Sequence, residues 1–522
     1  MSVVTKVINS EFSRNKQHAI NVVASVINML VGALISFFLT PYIVKTIGVE
    51  ANGFVSLANS FIAYATVASS ALNSMAGRFI MMALYRNDED KVNNLYSSLF
   101  WGNIFLAIAY AVLGVACVVY LEYIIVIPDN LVTDVKGLFS LLFLSSVVLT
   151  VSSSWAISPY IKNKLYLDSL NSSLQSVVRL LLILALFTWL PASVSLVGIA
   201  SLAAAMIGAY LKLLYKSVLL SEFKARIRYF SWSSIRTLVS SGIWNTISLL
   251  GNLLTSGLDL LVANLFIGPK AMGVLALAKV MPGFISTLNF TIANVFTPSL
   301  IIDYAHSDTK QIVHTINQSA KLISVICSIP LAFLFVYGVE FYKLWQPTQD
   351  AWILFVLSTI TIFGRVFFTG MQPLFNVFTV VNKVKENSLV TIANGFIIIV
   401  VTLLFVKFTS LGVYAVAGVS VVFCFIKNVL FVIPYSAKYL GLNKYVFFET
   451  LRPSVYCTVI LCLIGLAMKY VFAAHSWSQL IVAAIIFTVV GFMATTYIVL
   501  SAKERSALMS KLSILSHTHR NN

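Results

Sequence analysis

Long apolar runs, separated by short polar and mostly basic loops, make up nearly the whole chain. A helix needs about 20 apolar residues to cross a bilayer. Runs of that length recur near 20–44, 53–77, 96–120, 138–159, 166–189, 193–214, 240–266, 271–302, 318–338, 351–381, 388–406, 411–434, 453–473 and 477–501. They predict an all-α polytopic membrane protein of about 14 transmembrane helices. The runs at 53–84, 271–302 and 351–381 exceed a bilayer and imply tilt or extension beyond it.

Polar residues recur at regular places within these runs. Asn245, Asn252 and Asp259 are spaced seven apart, with Ser241, Ser248 and Thr255 beside them. Seven residues turn a helix by about 700°, so on one continuous helix the three would form a line. The first span begins alike with Asn21, Ser25 and Asn28; the second carries Asn59, Thr66 and Asn73, and the eighth Lys279 and Ser286. Such stripes face protein or water, not lipid. Helix–helix hydrogen bonding is one explanation and a hydrated cavity is the other.

The chain also repeats itself. IGVEANGFVSLA (Ile47–Ala58) returns as IGPKAMGVLALA (Ile267–Ala278), with Ile47/Ile267, Gly48/Gly268, Ala51/Ala271, Gly53/Gly273, Leu57/Leu277 and Ala58/Ala278 identical. The same offset pairs Asp88 with Asp308. Shifted by one, it pairs Asn163-Lys164 with Asn382-Lys383 and Ser169-Leu170 with Ser388-Leu389. The offset spans an even number of helices, so the copies point the same way, in a parallel pseudo-two-fold repeat. The expected organisation is an N-terminus over 1–19, an N-lobe over 20–225 (spans 1–6), a C-lobe over 226–440 (spans 7–12), an appended pair of helices over 441–501 and a tail over 502–522. In the tail, Leu508, Leu512 and Leu515 with Lys511 suit an interfacial helix or a solvated end.

Composition agrees with this class. The chain is 59% hydrophobic and 10% charged, with mean hydropathy +0.92, against about a quarter charged in soluble domains. The net charge of +17 would suggest nucleic acid in a soluble protein, but here the basic residues sort by loop. The N-terminus, the 78–95 and 212–236 loops, Lys162, Lys164, Lys310, Lys321, Lys383, Lys385, Lys438, Lys444, Arg452 and the tail are expected on one side; only Lys45, Lys136, Lys270, Lys343, Lys407 and Lys469 on the other. The positive-inside rule then makes both termini cytoplasmic, and no nucleic-acid partner is expected. Residues 1–20 carry Lys6, Glu11, Arg14, Lys16 and His18, so a cleavable signal peptide is not expected there. Cys117, Cys327, Cys424, Cys457 and Cys462 lie in apolar runs without CxxC spacing, as packing residues do.

Charges inside spans are the strongest functional pointers: Arg179, Asp259, Lys279, Arg365 and Lys427. Each costs about 2.5–3.5 kcal/mol unpaired at the bilayer centre. Asp259 and Lys279 flank the 267–270 turn at similar depth, about 10–12 Å from the boundary, as an ion pair or as separate groups. Arg179 and Arg365 have no evident acidic partner, so an anion suits them. Arg78, at the cytoplasmic end of span 2, is a gate-level contact or a topology charge. The candidate substrate-binding set is Arg179, Lys279, Arg365, Asp259, Arg78, Asn28, Asn59, Asn245 and Asn252. Pro282, Pro330 and Pro373 mark expected kinks. All six histidines are expected in loops or tails, and HExxH, GxSxG and Walker motifs are absent, so a transporter is expected, not an enzyme.

The stretch FFLTPYIVKTIGVEANGFVSLANSF (Phe37–Phe61) resembles the first-hairpin signature of Wzx-type polysaccharide flippases, in the multidrug/oligosaccharidyl-lipid/polysaccharide exporter superfamily, and spans 7–8 echo it more weakly. The resemblance implies fourteen spans in two six-helix lobes plus two helices, and a cationic cavity between the lobes. It implies alternating access that moves an undecaprenyl-pyrophosphate-linked oligosaccharide across the bacterial cytoplasmic membrane for O-antigen or capsule-type surface polysaccharide. Its partners would be that lipid-linked oligosaccharide, membrane lipids, and a polysaccharide polymerase with chain-length machinery. No cofactor is implied, and H+ or Na+ coupling stays open. The rival within the superfamily is a multidrug exporter, which usually has twelve spans and an acid in the first helix; here no acid lies between Glu11 and Glu50. The rival outside it is a membrane-embedded glycan-processing enzyme.

Overall fold

A computed structural model describes residues 3–306, 308–502 and 504–506; they form helices and turns, with no strand among the described residues. In the first half the helices are α1 (Val3–Ile47), α2 (Val49–Asn73), α3 (Ala76–Tyr85), α4 (Glu89–Val119), α5 (Leu121–Ile124), α6 (Val132–Ser153), α7 (Ile157–Ile161), α8 (Tyr166–Trp189) and α9 (Val194–Leu219). Next come α10 (Trp232–Ser256), α11 (Asp259–Phe266), α12 (Pro269–Ala278), α13 (Val280–Val295), α14 (Thr297–Ala305) and α15 (Thr309–Trp345). The remainder holds α16 (Ala351–Ile362), α17 (Arg365–Phe368), α18 (Pro373–Val380), α19 (Val384–Phe408), α20 (Val413–Lys427), α21 (Ile433–Tyr439), α22 (Leu451–Val471) and α23 (Trp477–Val499).

Among the described residues, 13 helical stretches are long and apolar enough to cross a membrane, and the apolar α16 is a shorter one. The protein is therefore the expected all-α polytopic membrane protein of about 14 spans. The run expected over 351–381 is divided into α16, α17 and α18.

The sequence repeat is a backbone repeat. The α1–α2 and α11–α12 turns each pivot on a glycine of positive φ, Gly48 at 91° and Gly268 at 129°, where an L side chain would be strained. Past each glycine the next helix starts with the same bond: Asn52 N donates to Gly48 O (3.2 Å), and Met272 N to Gly268 O (3.1 Å). Asp88 caps α4 by accepting from Lys91 N, as Asp308 caps α15 by accepting from Gln311 N. Asn163 (φ 54°) and Asn382 (φ 57°) occupy matching left-handed turns, closed by Lys164 N to Pro159 O and Lys383 N to Phe378 O, both at 2.7 Å.

The chain divides into two compact units, Met1–Leu277 with Ser388–Val416, and Ala278–Asn387 with Ala417–Asn522. In the first unit α8 is bonded to α1 through Ser25–Ser169 (3.3 Å) and Ser173 to Asn28 (3.0 Å). The repeat-equivalent helix α19 meets α10 in the same manner: Ser388 Oγ donates to Trp244 O (2.8 Å), and a Cβ on Gly395 would come within 2.6 Å of Leu254 Cβ. Small residues allow the backbones this approach, which is how membrane helices bind one another without a hydrophobic drive.

The second unit is organised on α15, which runs unbroken through Pro330. The appended helices α22 and α23 pack along it: Ser454 Oγ bonds Ser324 (2.9 Å) and receives Gly370 N (2.7 Å), while Lys469 pairs with Glu340 (2.8 Å) and donates to Val336 O (2.8 Å). One expectation fails locally, at two histidines. His314 lies within α15 and His18 within α1, not in loops. The tail around Leu508, Leu512 and Leu515, read as an interfacial helix or a solvated end, falls outside the described residues.

Candidate functional site

The polar stripes separate into two kinds. Asn21, Asn28 and Asn73 are helix–helix fasteners. Asn21 is buried, donates to Asn163 O (3.1 Å) and accepts from Tyr166 N (3.1 Å). Asn28 accepts from Ser173, and Asn73 exchanges reciprocal amide bonds with Asn103 at 2.9 and 3.0 Å. Asn59 and Asn252 are exposed and Asn245 is half-buried. Among the described residues, Asn59 donates back to Val55 O in its own helix (2.9 Å), with no bond to its amide oxygen.

Asp259 does not continue the Asn245–Asn252 line. The helix α10 ends at Ser256, and Asp259 opens a separate helix, α11, beyond a Gly257–Leu258 break. Tyr64 Oη, from α2, donates to Gly257 O at 2.5 Å and takes up a carbonyl released at the break. Asp259 is buried and is an electrostatic neighbour of that phenol. A carboxylate in the first turn of α11 is also favoured by the helix dipole.

Lys279 occupies the other break, between α12 and α13. Pro282 has no N–H to offer the carbonyl four residues back, Ala278 O. Ser358 Oγ donates to that oxygen at 2.6 Å, and Tyr342 Oη lies 2.5 Å from Ser358 Oγ. Both Ser358 and Tyr342 are fully buried. They are residues that sequence reading passed over; the one available signal was Pro282 itself, which names Ala278 as the carbonyl in need. Asp259 and Lys279 both have interaction partners.

The two span arginines are different. Arg179, on α8, has no ion-pair partner among the described residues, and its buried Nε has no hydrogen-bond partner. Arg365 opens α17 inside the divided span; its Nη1 reaches Gln372 Oε1 at 3.3 Å, and its electrostatic neighbours are the thiols of Cys327 and Cys424, not a carboxylate. Both are half-buried. Arg78 is exposed on α3. Among the described residues no group of three or more His, Cys, Asp or Glu is placed to hold a metal ion. All five cysteines are free thiols, with Cys327 and Cys457 buried.

The fold is that of known membrane transporters and flippases. The chain is similar to the lipid II flippase MurJ in its inward closed conformation, with TM-score 0.68 over 91% of this chain and 97% of that one at 12% identity. It is similar also to a multidrug resistance MATE family transporter of the MOP superfamily in an inward-facing conformation, with TM-score 0.63 over 79% and 94% at 12% identity. In sequence it is 25% identical over 495 residues to the uncharacterized membrane protein EpsK of Bacillus subtilis (strain 168), covering 94% of this chain and 97% of that protein. Residues 19–301 match the polysaccharide biosynthesis protein family, and the chain belongs to that family.

Proposed function

We propose that this protein is a flippase that moves a lipid-linked oligosaccharide, carried on undecaprenyl pyrophosphate, from the cytoplasmic to the outer leaflet of a bacterial cytoplasmic membrane. Both termini are cytoplasmic in this reading, the repeat halves form two lobes, and the protein carries out no chemistry. The observation that carries it is the pair of half-buried arginines, Arg179 in one unit and Arg365 in the other, neither with a carboxylate partner among the described residues. A pyrophosphate leaving water requires fixed positive charge, and guanidinium offers it paired donors. Lys279 adds a cation, Asp259 keeps the α10–α11 break in shape, and Asn59, Asn245 and Asn252 offer amides to sugar hydroxyls. Membership in the polysaccharide biosynthesis family supports a glycan cargo over a drug. So does the absence of any acid between Glu11 and Glu50. The test is genetic: deleting the gene should abolish the surface glycan and leave its lipid-linked unit on the cytoplasmic leaflet. Normal surface glycan combined with heightened drug sensitivity would instead make the protein a drug exporter.

A further inference from the structure

A second polar site, lined by neither of these arginines, lies within the second unit, at the helix ends that carry Lys321 and Arg452. It is a cavity of about 450 Å³ bounded by the N-terminal half of α15, the start of α22, the end of α23 and Glu504. His314 and Lys321 are seven residues apart on α15 and so share one face of it. From α22 comes Arg452, loosely paired with Glu449 at 3.7 Å while both remain largely exposed. Ile498 and Val499 supply an apolar side, and Tyr456, more than half exposed, stands at the rim.

Among the described residues, the group that occupies the cationic part is the chain's own carboxylate. Both oxygens of Glu504 bind Lys321 Nζ, at 2.8 and 3.1 Å, and one also accepts Ser501 N at 2.7 Å. Ser501 and Glu504 bond each other reciprocally, Glu504 N donating in turn to Ser501 Oγ at 3.4 Å, so the Lys321 ammonium is the donor that a bound oxyanion would take. Glu504 comes from the segment after the last span, whereas the cationic walls belong to packed helices. Without it the wall would hold Lys321, Arg452 and His314 against a single acid, Glu449, beside apolar surface at the membrane boundary. We infer that this cavity takes the phosphate of an anionic lipid headgroup from the leaflet at those helix ends, with Glu504 as a built-in competitor that yields to it.

The experiment uses the full-length protein in detergent, with native mass spectrometry counting retained phosphatidylglycerol against phosphatidylcholine, and a separate titration with inorganic phosphate. Wild type should retain phosphatidylglycerol in preference. Arg452→Gln, at an exposed position that folding tolerates, and Lys321→Gln should each lower that retention roughly tenfold, the loss expected for one charge-assisted hydrogen bond. Glu504→Gln keeps the amide oxygen that caps Ser501 N but removes the competing charge, and should raise retention. Equal retention of both lipids, or retention unchanged in Arg452→Gln, overturns the site. Unchanged or lower retention in Glu504→Gln overturns the competitor role. Inorganic phosphate that binds as well as phosphatidylglycerol overturns the lipid as the source of the anion.

Discussion

Gly53 and Gly273, which occupy the same position in the two copies of the repeat, rest on each other: a Cβ on Gly53 would lie 2.8 Å from Gly273 Cα, and one on Gly273 would enter the carbonyl oxygen of Val49. Equivalent residues can touch only close to the axis that relates their copies, as in an isologous contact. The α1–α2 and α11–α12 hairpins are therefore related by a local two-fold beside this contact, and it joins their outer ends in the proposed orientation. Nothing larger than hydrogen fits there.

Replacing Gly273 with Ala should force the hairpins apart. The atom in the way is backbone, so overpacking should cost about 1–3 kcal/mol, read as a lowered thermal midpoint in detergent, and transport should fall with it. Gly53→Ala should do the same. A Gly273→Ala protein that melts and transports like wild type would show that the contact opens without cost.

The Lys279 break offers a cleaner energetic test. Ser358→Ala should leave the Ala278 carbonyl bare and destabilise the protein by about 1–3 kcal/mol. Pro282→Ala restores the missing N–H, so the double variant should be more stable than the sum of the two single changes predicts. Strict additivity in thermal unfolding would mean that Ser358 does not serve that carbonyl.

The docking of Glu504 should depend on pH. Burial acts to raise its pKa, but the hydrogen bonds from Lys321 and Ser501 and the charge of Lys321 outweigh it, so the carboxyl titrates below its ordinary value of 4.5. A depressed pKa gives stabilisation that is complete above the ordinary value and lost as pH falls through the docked one. A fluorophore at Ser506 should therefore gain mobility only in acid, below about pH 4.5, and Glu504→Gln should be equally mobile at neutral and acid pH. A label whose mobility is flat across this range in the wild type would refute the pairing.

Orientation is open to direct labelling. Cysteines at the exposed positions Asn130 and Thr348 should react with an impermeant thiol reagent added outside cells, and one at the exposed Ser221 should react only after lysis. The reverse pattern would invert the proposed topology.

Much of this architecture was legible in the residues, and the reasons are physical. Spans are a property of composition over about 20 residues, and the repeat is a property of identity at one offset; both survive without any tertiary information. The duplicated caps at Asp88 and Asp308 and the turns at Asn163 and Asn382 were visible as paired residues because each demands a particular side chain at its own position. The breaks were not. Asn245, Asn252 and Asp259 look like one line because nothing local ends the helix except Gly257, and the group that receives its carbonyl, Tyr64, is 193 residues away. The stripes were ambiguous in the same way: Asn73 reads equally as a cavity amide or a helix fastener until Asn103 is found opposite it. A polar residue in a membrane announces that it has a partner, but not whether that partner is another helix or a substrate.

Arg179 and Arg365 are where that ambiguity is settled most directly. The decisive measurement is the rate at which purified protein in liposomes moves a pyrophosphate-linked oligosaccharide between leaflets. Loss of a charge-assisted contact should slow Arg179→Ala and Arg365→Ala roughly ten- to a hundredfold at equal protein level, and the Lys variants should keep part of the rate because charge remains while paired geometry is lost. Wild-type rates from both Ala proteins would contradict the account and leave these arginines as structural residues.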